Sequence, residues 1–234
     1  MADKHLFFDL DRTLWDFETN SKKALEILFS EFQLADSIQN FYSFHGTYKR
    51  INASLWKLYG KGKMTKEELR DERFIQTLSA FNIHDRTLAV KFSDSYVAVS
   101  PKQTMLFPDT LDALEELKKL NYQMHIITNG FEEVQHIKLD NSNLKPFFDV
   151  IVCSENVGCN KPDIRVFQYA MERASAMPTE SVMIGDDREV DILGALRAGM
   201  RAILFDPDNH HKQASDDLKI RNINELPLML AMMK

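Results

Sequence analysis

The chain has 234 residues, a formal net charge of -6, 44% hydrophobic residues and 27% charged residues. A chain of this size buries roughly 70–75% of the surface its unfolded form exposes, so it folds without staples, and two cysteines exclude a disulfide scaffold or a four-cysteine zinc site. The negative charge excludes a nucleic-acid polymer or an anionic membrane as a general partner, since both are repelled at long range.

The first apolar run, Leu6–Leu10, is interrupted by Asp9 and followed by Asp11. It is too short and too acidic for a signal peptide or an anchor. The expectation is a cytoplasmic protein with Cys153 and Cys159 reduced. The same run reads as a strand buried on both faces. From residue 16 to residue 100 only helical periods occur. Asn20 precedes Ala24, Leu25, Leu28, Phe29 and Phe32, spaced as one helix face, and Phe44, Tyr48, Ile51, Leu55 and Leu58 form a second stripe. Thr65 and Glu68 make a capping box that opens a helix over Glu67–Phe81. Leu88–Val99 is a fourth, weaker stripe. After residue 100, short apolar runs at Met124–Thr128, Val150–Cys153, Val182–Gly185 and Ala202–Phe205 alternate with helical stretches at Thr110–Leu120, Glu132–Asn141, Ile164–Ala174 and Val190–Ala198. Met229, Met232 and Met233 read as core filler. The alternation predicts an α/β fold. Its core is a doubly wound, Rossmann-like parallel sheet made by residues 1–15 and 101–234. Residues 16–100 form an all-helical cap domain inserted after the first strand. Charge divides the same way: residues 16–100 hold 12 Lys/Arg and 11 Asp/Glu, the remainder 17 and 24.

Polar groups stand where the strands end. Asp9, Asp11 and Thr13 follow the first, Thr128, Asn129 and Gly130 the second, Lys161 and Pro162 the third, and Asp186, Asp187 and Asp191 the fourth. In an open parallel sheet the carboxyl ends share one edge, and ligands bind there. Carboxylates gathered at one edge repel one another, and a cation relieves the repulsion. With only hard oxygen donors in these motifs, Mg²⁺ is favoured over zinc. Lys161 and a helix opening after Thr128-Asn129 add positive charge and free backbone N–H groups, which suit a phosphate. Pro162 is expected in the first turn of the helix after Lys161. Asp9 would act as the nucleophile, making an aspartyl-phosphate. Asp11 would protonate the departing oxygen and later take a proton from water.

These residues, as Phe-Phe-Asp9-Leu-Asp11-Arg-Thr13-Leu, Ile-Thr128-Asn129-Gly, Lys161-Pro-Asp and Gly-Asp186-Asp187 with Asp191 four residues on, resemble the four motifs of the haloacid dehalogenase superfamily. The presence of Asp11 matches its phosphatases rather than its dehalogenases. The resemblance implies Mg²⁺ held by the Asp9 carboxylate, the Asp11 backbone carbonyl and the Asp186 carboxylate. It implies phosphate contacts from Thr128, Asn129 and Lys161, with Asp187 and Asp191 in supporting places. Ile-Ile-Thr-Asn-Gly-Phe131, Ser-Glu-Asn-Val-Gly158 and Asp191-Ile-Leu-Gly-Ala, with Leu-Trp56 in the helical block, resemble bacterial pyrimidine 5'-nucleotidases of that superfamily.

Selectivity is expected from the helical block. Ser37 to Lys66 holds no acid but six bases. Tyr48, Asn52 and Trp56 follow an i, i+4 row, so Trp56 and Tyr48 could stack on a base while Asn52 reads its edge. The same aromatics would equally serve as cap core. The leading reading is therefore a hydrolase of small phosphorylated metabolites, with a nucleoside 5'-monophosphate as substrate. A sugar-phosphate phosphatase or a phosphomutase on the same core is the alternative, and a phosphate-binding or signalling domain without catalysis a more distant one.

Overall fold

Side chains alternate between two apolar layers along each central strand. Leu6 and Phe8 face one layer and Phe7 the other, Ile126 one and Ile127 the other, and Val182 and Ile184 one and Met183 the other. A strand that buries both faces belongs inside a sheet covered by helices on both sides. The computed structural model describes residues 4–211 and 218–233. In chain order its elements are β1 (His5–Phe8), α1 (Phe17–Glu31), α2 (Phe41–Gly60), α3 (Lys66–Ser79), α4 (Arg86–Val99), α5 (Thr110–Lys119), β2 (Gln123–Thr128), α6 (Glu132–Asn141), β3 (Val150–Cys153), α7 (Ile164–Arg173), β4 (Ser181–Gly185), α8 (Leu193–Arg197), β5 (Arg201–Phe205), β6 (Lys219–Ile220) and α9 (Leu226–Met232).

The six strands form one sheet in the order β3-β2-β1-β4-β5-β6, and every pairing is parallel. This is the doubly wound α/β core that the sequence pattern predicts. The chain winds outward from β1 through β2 to β3, then returns to the other side of β1 and winds out through β4, β5 and β6. The switch falls between β1 and β4, where such sheets open a crevice at their carboxyl edge.

The chain divides into two compact units, Met1–Phe17 with Thr104–Lys234, and Glu18–Gln103. In the second, Phe44 and Tyr48 of α2, Phe74 of α3, and Phe92 and Tyr96 of α4 are all buried, and Tyr48 stacks on Phe74 with ring centroids 5.3 Å apart. Thr65 caps α3 through the expected capping box with Glu68. No described helix is long and apolar enough to cross a membrane.

Four details depart from the sequence reading. Pro162 lies before the N-cap of α7 rather than in its first turn, because Asp163 takes the cap and accepts the Arg165 N–H. The expected helix over Val190–Ala198 is a π-helical turn, Arg188–Ile192, followed by the short α8. β6 has only two residues, too few to leave a period in the sequence. Met229 and Met233 pack against the core, but Met232 is 75% exposed.

Candidate active site

Asp9 is the first residue past β1, and its N–H still donates to the Ile184 carbonyl of β4, at 2.9 Å. The chain then turns sharply. Thr13, Leu14 and Trp15 all donate their N–H groups to the Leu10 carbonyl, and Arg12 sits in the left-handed region at φ 66. The turn places the Thr13 hydroxyl 3.4 Å from Asp186.

Lys161 is 2% exposed. Its ammonium donates to Asp9 Oδ1, Asp191 Oδ1 and the Ile127 carbonyl, each at 2.7 Å. An ammonium has three protons, so all are engaged. Burial works against this charge, and Asp191 and Asp9 more than offset it, holding the ammonium above its ordinary value. Asn129 fixes the main chain of the same residue: its amide donates to the Lys161 carbonyl at 3.1 Å and accepts the Lys161 N–H at 2.9 Å.

Asp9, Asp186 and Asp191 each bring a carboxylate oxygen within 4.8 Å of the other two. Burial pushes Asp9 up to about 7 against the pull of Lys161. It also raises Asp186 well above the carboxylate range, and Asp191 and Asp9 add to that rise. Three hard-oxygen donors this close, with their ionisation opposed by burial and mutual repulsion, fit a divalent cation of the magnesium type. Asp187 is exposed and caps the π-helical turn by accepting the Glu189 and Val190 N–H groups. Its own N–H donates to Asp191 Oδ2 at 3.1 Å.

Asp11 faces elsewhere. Lys138 of α6 donates to both of its oxygens, at 2.6 and 2.9 Å, and the Gln135 amide donates to Oδ2 at 2.8 Å. Lys138 also lies 4.4 Å from the centroid of the Trp15 ring. Gln135 and Lys138 are missing from the sequence reading. The signal they leave is a polar pair at i and i+3 on the face of α6 that buries Leu139.

In the helical unit, Tyr48 and Asn52 are buried, at 1% and 4% exposure. Trp56 is half-buried and meets Tyr59 edge-on at 5.5 Å.

This edge of the sheet gathers the Asp9, Asp186 and Asp191 carboxylates around Lys161, with Asp11 turned to Lys138 and Gln135. The sequence model of the haloacid dehalogenase-like hydrolases matches residues 6–205. The chain belongs to that family. Across this hydrolase family, the chain is 28% identical to the pyrimidine 5'-nucleotidase YjjG of Escherichia coli, covering 96% of each protein. It is 31% identical to a glyceraldehyde 3-phosphate phosphatase of Methanothermobacter thermautotrophicus, covering 97% of this chain and 99% of the relative. Among solved structures, the magnesium-bound HAD-hydrolase YfnB of Bacillus subtilis superposes with a TM-score of 0.88 at 29% identity, covering 99% of this chain and 100% of that one. The protein is a phosphatase-type hydrolase.

Proposed function

We propose that this hydrolase is a Mg²⁺-dependent phosphomonoesterase that works through an aspartyl-phosphate on Asp9, with nucleoside 5'-monophosphates as its substrate class. The observation that carries the reading is the convergence of Asp9, Asp186 and Asp191 within 4.8 Å around a carboxylate that Lys161 already holds. Asp9 and Asp186, with the Asp11 backbone carbonyl, would hold the cation. When bound, Mg²⁺ supplies positive charge that offsets the phosphoryl oxygens and the carboxylates together.

The residues of the chain carry the steps. An Asp9 oxygen attacks phosphorus, forming one P–O bond as the bond to the leaving oxygen breaks. Asp11, once it turns from Lys138 and Gln135 and takes up a proton from solvent, gives that proton to the leaving oxygen. It then takes one from a water that attacks the same phosphorus, releasing phosphate and restoring Asp9. Thr128 donates to the phosphoryl group, and Lys161, whose three protons go to Asp9, Asp191 and the Ile127 carbonyl, offsets its charge from beside Asp9. The Asn129 side chain is engaged with the Lys161 main chain, so we assign Asn129 its phosphate contact through its main-chain N–H. Asp191 and Asp187 act behind the front carboxylates, Asp191 by fixing Lys161 and Asp187 by fixing Asp191.

Residues 16–100 form the cap in this reading and select the leaving group. Trp56, half-buried, is the residue that stacks on it; Tyr48 and Asn52 support the same helix face. The nucleotidase relative favours a nucleotide. The glyceraldehyde 3-phosphate phosphatase relative favours the second reading, a sugar-phosphate phosphatase on the same core. Phosphate release from a panel of nucleoside 5'-monophosphates and sugar phosphates, with Mg²⁺ and with a chelator, decides between them. Nucleotides turning over fastest, with loss of activity on chelation, is the expected result. Transfer between positions of a sugar without release would mark a mutase.

A further inference from the structure

Gln135 sits on α6 with 0% exposure and has no part in the steps above. Its Nε2 is 2.8 Å from Asp11 Oδ2 and 2.8 Å from Thr128 Oγ1. Its Oε1 is buried and has no donor. The orientation of this amide follows from its neighbours. Asp11 receives Lys138 on both oxygens, so it accepts, and the amide must turn its NH₂ group toward it. The same NH₂ then faces Thr128, whose oxygen accepts there too. The Gly130 N–H donates to that oxygen as well, at 3.1 Å.

A hydroxyl has two lone pairs and one hydrogen. In Thr128 both lone pairs are occupied, and among the described residues no acceptor takes its hydrogen. The hydrogen is left to be donated to a ligand. Packing alone would not choose glutamine here, since an apolar residue of the same size would leave no buried carbonyl unpaired. The glycine of Thr128-Asn129-Gly130 has its reason in the same place: a Cβ on Gly130 would run into the Gln135 amide.

We propose that Gln135 is a positioning residue that forces the Thr128 hydroxyl to donate, aiming its hydrogen at a phosphoryl oxygen. This rests on the phosphomonoesterase reading. The probes are p-nitrophenyl phosphate as substrate and inorganic phosphate as competitive inhibitor. The proteins are the full-length wild type, Thr128→Val, Gln135→Met and the double variant, assayed with Mg²⁺.

Thr128→Val removes the donor and is expected to weaken inhibition by phosphate about tenfold, the size of one hydrogen bond to a charged group. Gln135→Met is expected to weaken it to a similar degree, although its side chain never touches phosphate. The double variant is expected to be no weaker than either single one, because the same donor is lost each time. Losses that multiply to about a hundredfold in the double variant, or an unchanged inhibition constant in Gln135→Met, overturn the proposal. Should Gln135→Met not fold, as judged by circular dichroism, Gln135→Glu replaces it in the cycle. Its fold is checked the same way. Because a carboxylate beside Asp11 also repels phosphate, the cycle is read with Gln135→Leu, which lacks the donating amide and adds no charge, wherever Gln135→Glu and Thr128→Val losses add. A wild type that hydrolyses no phosphomonoester would defeat the underlying reading first; an active wild type with an additive cycle would defeat only this inference.

Discussion

Lys161 joins the site at the scale of single residues. Its three protons go to Asp9, Asp191 and the Ile127 carbonyl, so it holds two buried carboxylates in place before any ligand arrives. Removing one partner of a buried charge group leaves the others uncompensated, which costs about 3–5 kcal/mol. Lys161→Met is therefore expected to lose about that much stability in urea unfolding with a chelator present. Unchanged stability would mean that Asp9 and Asp191 find other relief. The positions of Asp9, Thr128 and Asp186 are legible in the sequence, because each directly follows or closes an apolar run and the parallel sheet brings such ends together. Lys161, eight residues past the end of β3, is legible only from the Lys161-Pro162-Asp163 motif. Gln135 and Lys138 are not. They lie inside a helix, and a polar residue at a helical spacing resembles any solvated position until the helix is docked.

Elements carry the next constraints. β4 ends at Gly185, where a Cβ would meet the Asp191 carboxylate and its Cβ. Overpacking of this kind typically costs about 1–3 kcal/mol. Gly185→Ala is expected to lose that much stability and to lower phosphate release by displacing Asp191 from Lys161. On β1 and β2, away from this edge, His5 Nδ1 and His125 Nε2 lie 3.1 Å apart and are buried. Burial, then the neighbouring His5, lowers the His125 pKa to about 4. The folded chain thus keeps this ring neutral, while the unfolded chain protonates it below about 6.5. The unfolded state binds the extra proton between those values, so the stability tied to His125 is complete above pH 6.5 and is lost as pH falls toward 4. The size is about 3 kcal/mol. Unfolding free energies across that range for wild type and His125→Gln should differ in slope, the variant lacking this loss; parallel curves would contradict it. Period and burial make the five longer strands readable, because each is an apolar run between polar breaks. They fail for β6, two residues long, and for the turn at Arg188–Ile192, where Asp187 caps two N–H groups and the helix starts with π geometry.

For the whole molecule, the net charge of -6 takes its meaning from where the charge lies. The acidic cluster Asp9, Asp186 and Asp191 is concentrated at one sheet edge, and a bound divalent cation together with Lys161 cancels its negative charge. An acidic protein can then take a small phosphate ester while still repelling a polyanion. Residues 37–66, with six bases and no acid, carry the opposite bias. If Trp56 stacks on a base, Trp56→Ala should lower kcat/KM for a nucleoside 5'-monophosphate by roughly 5- to 150-fold, the range of a lost base stack. Turnover of glycerol phosphate, which has no base, should hold steady. An equal fall on both substrates would assign Trp56 to packing.

In the proposed mechanism phosphate passes through Asp9. The direct measurement is phosphate release from a nucleoside 5'-monophosphate by wild type and by Asp9→Asn, at equal Mg²⁺ and with the fold of each checked by circular dichroism. The variant keeps the shape of the side chain but loses its nucleophilic charge, and its release is expected to fall to background. Release by Asp9→Asn at the wild-type rate would contradict the account.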